Sequence, residues 1–199
     1  KNQNDKKPLN LTVIIGHDRF TVNVQEEHAA ALQSRYPDWN PVILKKNFTV
    51  GGKHKAQVRE GTGKVIEQEQ VSGWYGKEVR KLTEYDFPTL YTRLMQVKLA
   101  YPKEKTVNIG AKMDVRWQVL ARTIDTARLQ LMKPSYKEIE EYSMAIPKQQ
   151  ARSCEKDEDC DGAPNRCNAG SCEKKAESGM KPMLEVTPLF PGVVFVVAE

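Results

Sequence analysis

Leu9, Leu11, Val13 and Ile15 occupy alternate positions, with Asn10, Thr12 and Ile14 between them. After the turn-rich Gly16-His17-Asp18-Arg19, the same alternation resumes at Phe20, Val22 and Val24. Side chains two apart share one face of a strand, so two such runs about a glycine turn predict a β-hairpin. Gln25 to Tyr36 has helical composition and stops at Pro37, while Val42-Ile43-Leu44 and Phe48-Thr49-Val50 predict short strands. Between 26 and 84 glycine and lysine are frequent and periodicity is weak. Extra strands and loops are expected there, punctuated by Gly51-Gly52 and Gly61-Thr62-Gly63.

The second half is more regular. Asp86 is placed to cap a helix with Pro88 in its first turn, and Phe87, Leu90, Leu94, Val97 and Tyr101 then recur at spacings of 3 and 4. Pro102 ends it. Val107, Ile109 and Ala111 predict a strand over Thr106 to Ala111. Asp114 is expected to cap a second helix, with Trp117, Leu120, Ala121, Ile124, Ala127 and Leu131 as its buried stripe and Trp117 packed between helix and sheet. Pro134 stops that helix, and Ser135 to Tyr142 suggests a further polar one. Val193 to Val197 is continuously apolar, which predicts a strand covered on both faces. Strand, helix and covered strand in succession imply a parallel crossover. The expected fold class is α/β, a two-layer α+β arrangement: a β-β-α-β-α-β mixed sheet with helices on one face. It forms one domain over 8–199, with a loop/strand insert at 25–85 and a second insert at 133–187.

Composition sharpens this picture. The 199 residues carry a net charge of +5, and only 39% are hydrophobic, below the usual share for a globular domain. No apolar run approaches the roughly 20 residues of a membrane helix. Nine basic residues against four acidic ones between Lys45 and Lys81 account for the whole excess. Trp74 and Tyr75 lie in that stretch, but glutamates interrupt it and aromatics do not interleave with the cations as stacking platforms for nucleic acid require. A solvated surface is the expectation, with no nucleic-acid partner.

The cysteines fall in an acidic block: Cys154, Cys160, Cys167 and Cys172, separated by 5, 6 and 4 residues. An even count in a compact block almost empty of apolar residues reads as two disulfides forming a small knob over 154–172. Three pairings are possible; 154–167 with 160–172 is favoured because interlaced bridges pin a short segment better than nested ones. Zinc fits less well, since only Cys167 and Cys172 approach the spacing of paired ligands. Asp157, Asp159, Asp161 and Gly162 match the opening of a calcium loop, but Asn168 stands where its bidentate glutamate belongs, so a solvated acidic turn is the simpler reading. His17, His28 and His54 have no nucleophile in recognisable arrangement around them. The Asn10 and Asn47 sequons read as chance matches. The sequence therefore predicts neither an enzyme nor a cofactor.

Three stretches, in this order, resemble the periplasmic domain of the ExbD/TolR family of biopolymer-transport subunits. They are Leu9 to Ile15 with its hairpin; Asp86-Phe87-Pro88-Thr89-Leu90 through Tyr101-Pro102, Asp114-Val115-Arg116-Trp117 and Ile124-Asp125-Thr126-Ala127-Arg128; and Leu189-Phe190-Pro191-Gly192-Val193. Together they span 8–24, 86–132 and 188–198. Arg116 and Trp117 stand where the family tends to have Pro and Tyr. The resemblance implies a non-enzymatic motor subunit driven by proton flow through a TolQ/ExbB-like channel. It also implies a homodimer, a membrane helix ahead of Lys1 that anchors the domain in the periplasm, and contact with peptidoglycan or with a TonB/TolA-like or gliding partner. Asp114, Arg116, Trp117, Asp125 and Arg128 become candidate contact or core residues. Self-association is expected through Leu9 to Ile15 if that strand lies at a sheet edge. The alternative is a secreted, disulfide-stabilised binding or adhesion module.

Overall fold

The computed structural model describes residues 8–60, 63–161, 165–176 and 179–197. Its centre is a mixed five-stranded sheet. β1 (Thr12–Ile15) and β2 (Arg19–Asn23) form the expected hairpin, pairing Val13 with Val22 and Ile15 with Phe20. α1 (Glu26–Arg35) leads to β3 (Val42–Leu44), which pairs with β2. α2 (Phe87–Ala100), β8 (Thr106–Ala111), α3 (Trp117–Arg128) and β14 (Gly192–Val197) complete the body, in the strand order β14-β8-β1-β2-β3. β8 runs parallel to both β1 and β14.

One core holds these elements together. Val13, Ile15, Phe20, Val22, Val107 and Ile109 point into it from the sheet, and Phe87, Leu90, Tyr91, Leu94 and Val97 meet them from α2. Asp86 caps α2 as its sequence suggests: its carboxylate accepts the Thr89 N–H at 3.0 Å and the Thr89 hydroxyl at 2.8 Å. Tyr91 is fully buried, and its hydroxyl accepts the Leu131 N–H at 2.9 Å, which ties α2 to the chain beyond α3.

Arg93 on the same helix is only 8% exposed, and its charge is paired through its terminal nitrogens. Its guanidinium donates to the Asp38 carboxylate and to Gln96 Oε1, each at 2.9 Å, and to the Asp38 carbonyl. The Arg93 hydrogen bond holds the Asp38 carboxyl below its ordinary pKa. A carboxyl depressed in the folded state stabilises the fold above the unfolded pKa of about 3.9, and that contribution is lost as pH falls through the folded value. Thermal unfolding followed from pH 5 to pH 3 is expected to show a steeper loss for the wild type than for Asp38→Asn. Parallel curves would contradict the pairing.

The inserts build small sheets of their own. The first contains β4 (Lys46–Val50) with β7 (Arg80–Glu84), and the hairpin of β5 (Lys53–Arg59) with β6 (Val65–Val71). The second begins with the short α4 (Ile139–Ser143), much shorter than the polar helix expected over 135–142. Phe48, Val50 and Ile139 form a second core, so α4 packs on the first insert. Lys133 reinforces this joint by pairing with Glu67 on β6 and Glu141 on α4, at 2.9 and 2.8 Å. Gly51 permits a close approach there: its φ is +83°, and an added Cβ would clash with the Glu78 carbonyl oxygen.

The knob follows β9 (Gln149–Ala151) and comprises β10 (Arg166–Asn168), β11 (Ser171–Ala176) and β12 (Gly179–Pro182), before β13 (Leu184–Val186) pairs back on β9. Cys154 is bridged to Cys167 and Cys160 to Cys172, the interlaced pairing.

Four expectations change. β14 is not covered on both faces: it is an edge strand with Val194, Phe195 and Val196 exposed, Phe195 by 61%. Its backbone pairs with β8 along one edge only, and its apolar run is left exposed on both faces at Val194 to Val196. Conversely, β1 lies between β8 and β2, so its N–H and C=O groups are occupied and Leu9 to Ile15 offers no edge. Trp117 is 68% exposed, because α3 turns Thr123, Thr126 and Ala127 inward, with Leu120 and Ile124 only partly buried. Asp114 does not cap α3; Arg116 occupies the N-cap position and makes no side-chain cap.

Candidate functional site

β1 and β8 are parallel neighbours, so the turns after their C-terminal ends lie side by side. Such crevices are where open α/β sheets place ligands. Here the first turn supplies His17 and the second Asp114, and His17 Nδ1 lies 2.6 Å from Asp114 Oδ2. Both side chains are about three-fifths exposed. Beside them opens a polar cavity of about 390 Å³, bordered by Lys45, Glu84, Tyr85 and Arg116.

Tyr85 shapes this cavity. Its ring stacks in the core against Phe20, and its hydroxyl donates toward the Gly16 and His17 carbonyls at 2.7 and 3.0 Å, fixing the first turn. Lys45 Nζ stands 4.3 Å above the ring. Burial pushes the Tyr85 phenol up, helped by the nearby Asp114, Asp18 and Glu84 charges. In the same turn, the Arg19 hydrogen bond draws Asp18 below its ordinary pKa.

The cavity offers both signs of charge within reach of one ligand: Lys45 and Arg116 against Glu84 and Asp114. It suits a polar partner recognised by paired charges rather than an apolar molecule. Among the described residues no serine, threonine or cysteine is hydrogen-bonded to His17, and all four cysteines are bridged. The arrangement can orient a polar group, but among the described residues it presents no activated nucleophile.

The structure brings Asp114 and Arg116 into this site. Trp117 begins the next helix and, with the fully exposed Met113, gives the same loop an apolar rim. Asp125 and Arg128 do not join it: both lie exposed toward the C-terminal end of α3, and Asp125 lines a separate, smaller pocket. By sequence His17 reads as an exposed turn histidine and Lys45 as part of a solvated basic stretch, and nothing local marks Glu84 or Tyr85, since His17 and Asp114 stand 97 positions apart in the numbering. The available signal was topological: once two strands are expected to run parallel, the turns following them share one edge.

The acidic residues of the knob are otherwise engaged. Asp157 accepts the Cys167 N–H, Asp159 accepts those of Glu155 and Lys156, and Asp161 pairs with Arg152. Those backbone hydrogen bonds lower the Asp159 pKa. Among the described residues these carboxylates form no group converging on an ion, and Gly162 lies outside the described residues. His28 rests edge-on against Tyr101, and His54 Nε2 contacts the Gly51 carbonyl. Comparison with family models, curated proteins and solved structures found no match to this chain.

Proposed function

We propose that this chain is the periplasmic domain of an ExbD/TolR-like subunit, a non-enzymatic element of a motor driven by proton flow. One observation carries the reading. The three stretches that resemble the family, separated by long inserts in the chain, assemble into a single body: β1, β2, β8 and β14 pair in one sheet, and α2 and α3 share its core. The inserts largely build their own small sheets around it, β3 alone adding a strand to the shared one. This suits the two-layer β-β-α-β-α-β plan with helices on one face. The two disulfides favour an oxidising compartment such as the periplasm.

In this reading an anchor preceding Lys1 joins the domain to a TolQ/ExbB-like channel, and the domain passes movement or restraint to peptidoglycan or an envelope partner. No described helix is long and apolar enough to cross a membrane. The His17–Asp114 cavity, with Arg116 and Trp117 at its rim, is the contact surface. Reading the residues encoded ahead of Lys1 tests this. An apolar stretch of roughly 20 residues with an embedded aspartate supports the motor, whereas a cleavable signal peptide supports the secreted adhesion module.

The homodimer belongs to the same reading, and β14 is its edge. Its outer N–H and C=O groups have no ladder partner among the described residues, and its exposed Val194, Phe195 and Val196 are the kind of edge that pairs with another chain. A two-fold pairing would place β14 against itself. Sedimentation at rising concentration is expected to show a weak monomer–dimer equilibrium, shifted toward monomer by Phe195→Lys. A strict monomer at millimolar concentration, or a dimer indifferent to that substitution, would defeat β14 pairing.

A further inference from the structure

Away from the His17 cavity, Arg122 on α3 holds a charge that the fold leaves unanswered. Its guanidinium carbon lies 3.5 Å from the centroid of the Trp74 ring and 4.6 Å from that of Phe87. Burial pushes the nearby Tyr75 phenol up, and the Arg122 cation offsets part of that rise. Nε and Nη2 are buried and have no hydrogen-bond partner. Among the described residues no carboxylate forms an ion pair with Arg122. Ring stacking offsets part of the cost of burying this cation, but two charged N–H groups remain unmade, which folded proteins avoid.

These two nitrogens belong to one edge of the planar guanidinium fork, the form that meets the two oxygens of a carboxylate. Arg122 is one wall of a pocket of about 140 Å³, whose other walls include Trp74, Asp125, Thr126, Leu131 and Tyr142, while the two nitrogens themselves lie covered. Its hydroxyls are already used. Thr126 donates to the Arg122 carbonyl and lies 2.6 Å from the Tyr142 hydroxyl, and Ser143 donates to the Glu140 carbonyl. Burial pushes the Tyr142 phenol up to about 12, so it stays neutral. Among the described charged side chains of this pocket, Arg122 keeps donors without a partner.

Size and charge narrow the ligand. Pockets that hold whole ligands run from about 300 to 1,000 Å³, so this one accepts a single headgroup and a short stem. Leu129, Leu131 and Ala145 supply apolar wall for that stem. Asp125 on the same wall repels a dianion such as phosphate more than a singly charged acid. Trp74 is the roof: it is 51% exposed and sits in a turn between Gly73 and Gly76, around which a side chain would meet nothing within 4 Å.

We propose that the Arg122 pocket binds one carboxylate on a short aliphatic stem, received on the Nε–Nη2 edge as Trp74 lifts from its stack. The chemistry is shared by a small free monocarboxylic acid and by a glutamate side chain of a partner. This assignment is independent of the motor reading.

The test is a titration of the ¹⁵N-labelled domain, following the Arg122 Nε–H resonance and the Trp74 indole. Sodium propionate is expected to shift both in a saturable way, while sodium chloride at equal ionic strength does not. Arg122→Lys, which keeps the charge and loses the fork, is expected to weaken the indole response about tenfold or more. A blocked tripeptide with a central glutamate separates the sources. Saturation about tenfold below propionate assigns the pocket to an acidic side chain, and equal saturation to a free acid. Linear or chloride-equivalent shifts in the wild type, or tighter binding of inorganic phosphate than of propionate, would overturn the proposal.

Discussion

Replacing Tyr91 by alanine is expected to cost the domain about 3–5 kcal/mol, the range for deleting a fully buried aromatic ring. Tyr91 is 0% exposed and packs against Tyr136 and Tyr142, which both belong to the second insert. Its hydroxyl also receives the buried Leu131 N–H. Tyr91→Phe isolates that contribution: leaving one buried donor unpaired costs about 1–3 kcal/mol. Trp117→Ala, although it removes a larger ring, is expected to stay within about 0.5 kcal/mol, as exposed substitutions do. Urea unfolding of the three variants checks all of this together. A Tyr91→Ala cost below that of Trp117→Ala would reverse the assignment of core and surface.

The second large effect concerns the knob. Cys160 and Cys172 are both fully buried and supply most of the interior of a segment otherwise built from polar side chains. Their bridge closes a sequence separation of 12 residues, worth about 3 kcal/mol in the chain-entropy account. Cys160→Ala with Cys172→Ala is therefore expected to open the knob while leaving the main sheet folded. Hydrogen exchange reads this directly. The amide of Cys172, bonded to the Arg152 carbonyl, and that of Met183, bonded to the Cys172 carbonyl, should lose protection. Those of Val13 and Ile109 in the central sheet should not. Unchanged protection at Cys172 would show that the knob stands without its bridge.

How much of this was legible in the sequence depends on whether local pattern or long-range placement decides the feature. The β1–β2 hairpin, α1 and α2 follow from period and punctuation. Alternation specifies which face of a strand is buried, and Asp86 with Pro88 specifies where a helix starts. The cysteine pairing was accessible because the knob is short enough for local chain geometry to dominate. Trp117 was misplaced because the helical stripe that includes it is offset from the one the core selects, centred on Thr123, Thr126 and Ala127. Two of these are threonines, polar by composition, whose hydroxyls bond back to the carbonyls of Val119 and Arg122 and so bury without loss.

β14 was misjudged for a different reason. Apolar continuity predicts cover on both faces, but whether any element supplies that cover is decided elsewhere in the chain, and Val194, Phe195 and Val196 are exposed. Sheet order put β14 at the edge and β1 in the middle, and sheet order is a long-range property. The same limit hid the His17–Asp114 pair and the Arg122 pocket. Each is assembled from residues that no window of sequence holds together, and Glu140, fully buried on a helix expected to be solvated, belongs with them.

The central claim is that this domain works tethered to a membrane motor. The most direct measurement is alkaline carbonate extraction of membranes from cells that make the full native protein, probed with antibody to this domain and paired with protease access to intact spheroplasts. The account predicts that the protein stays in the membrane pellet and is degraded from the outer face of the inner membrane. Recovery in the soluble periplasmic or culture fraction would contradict it and favour the secreted module.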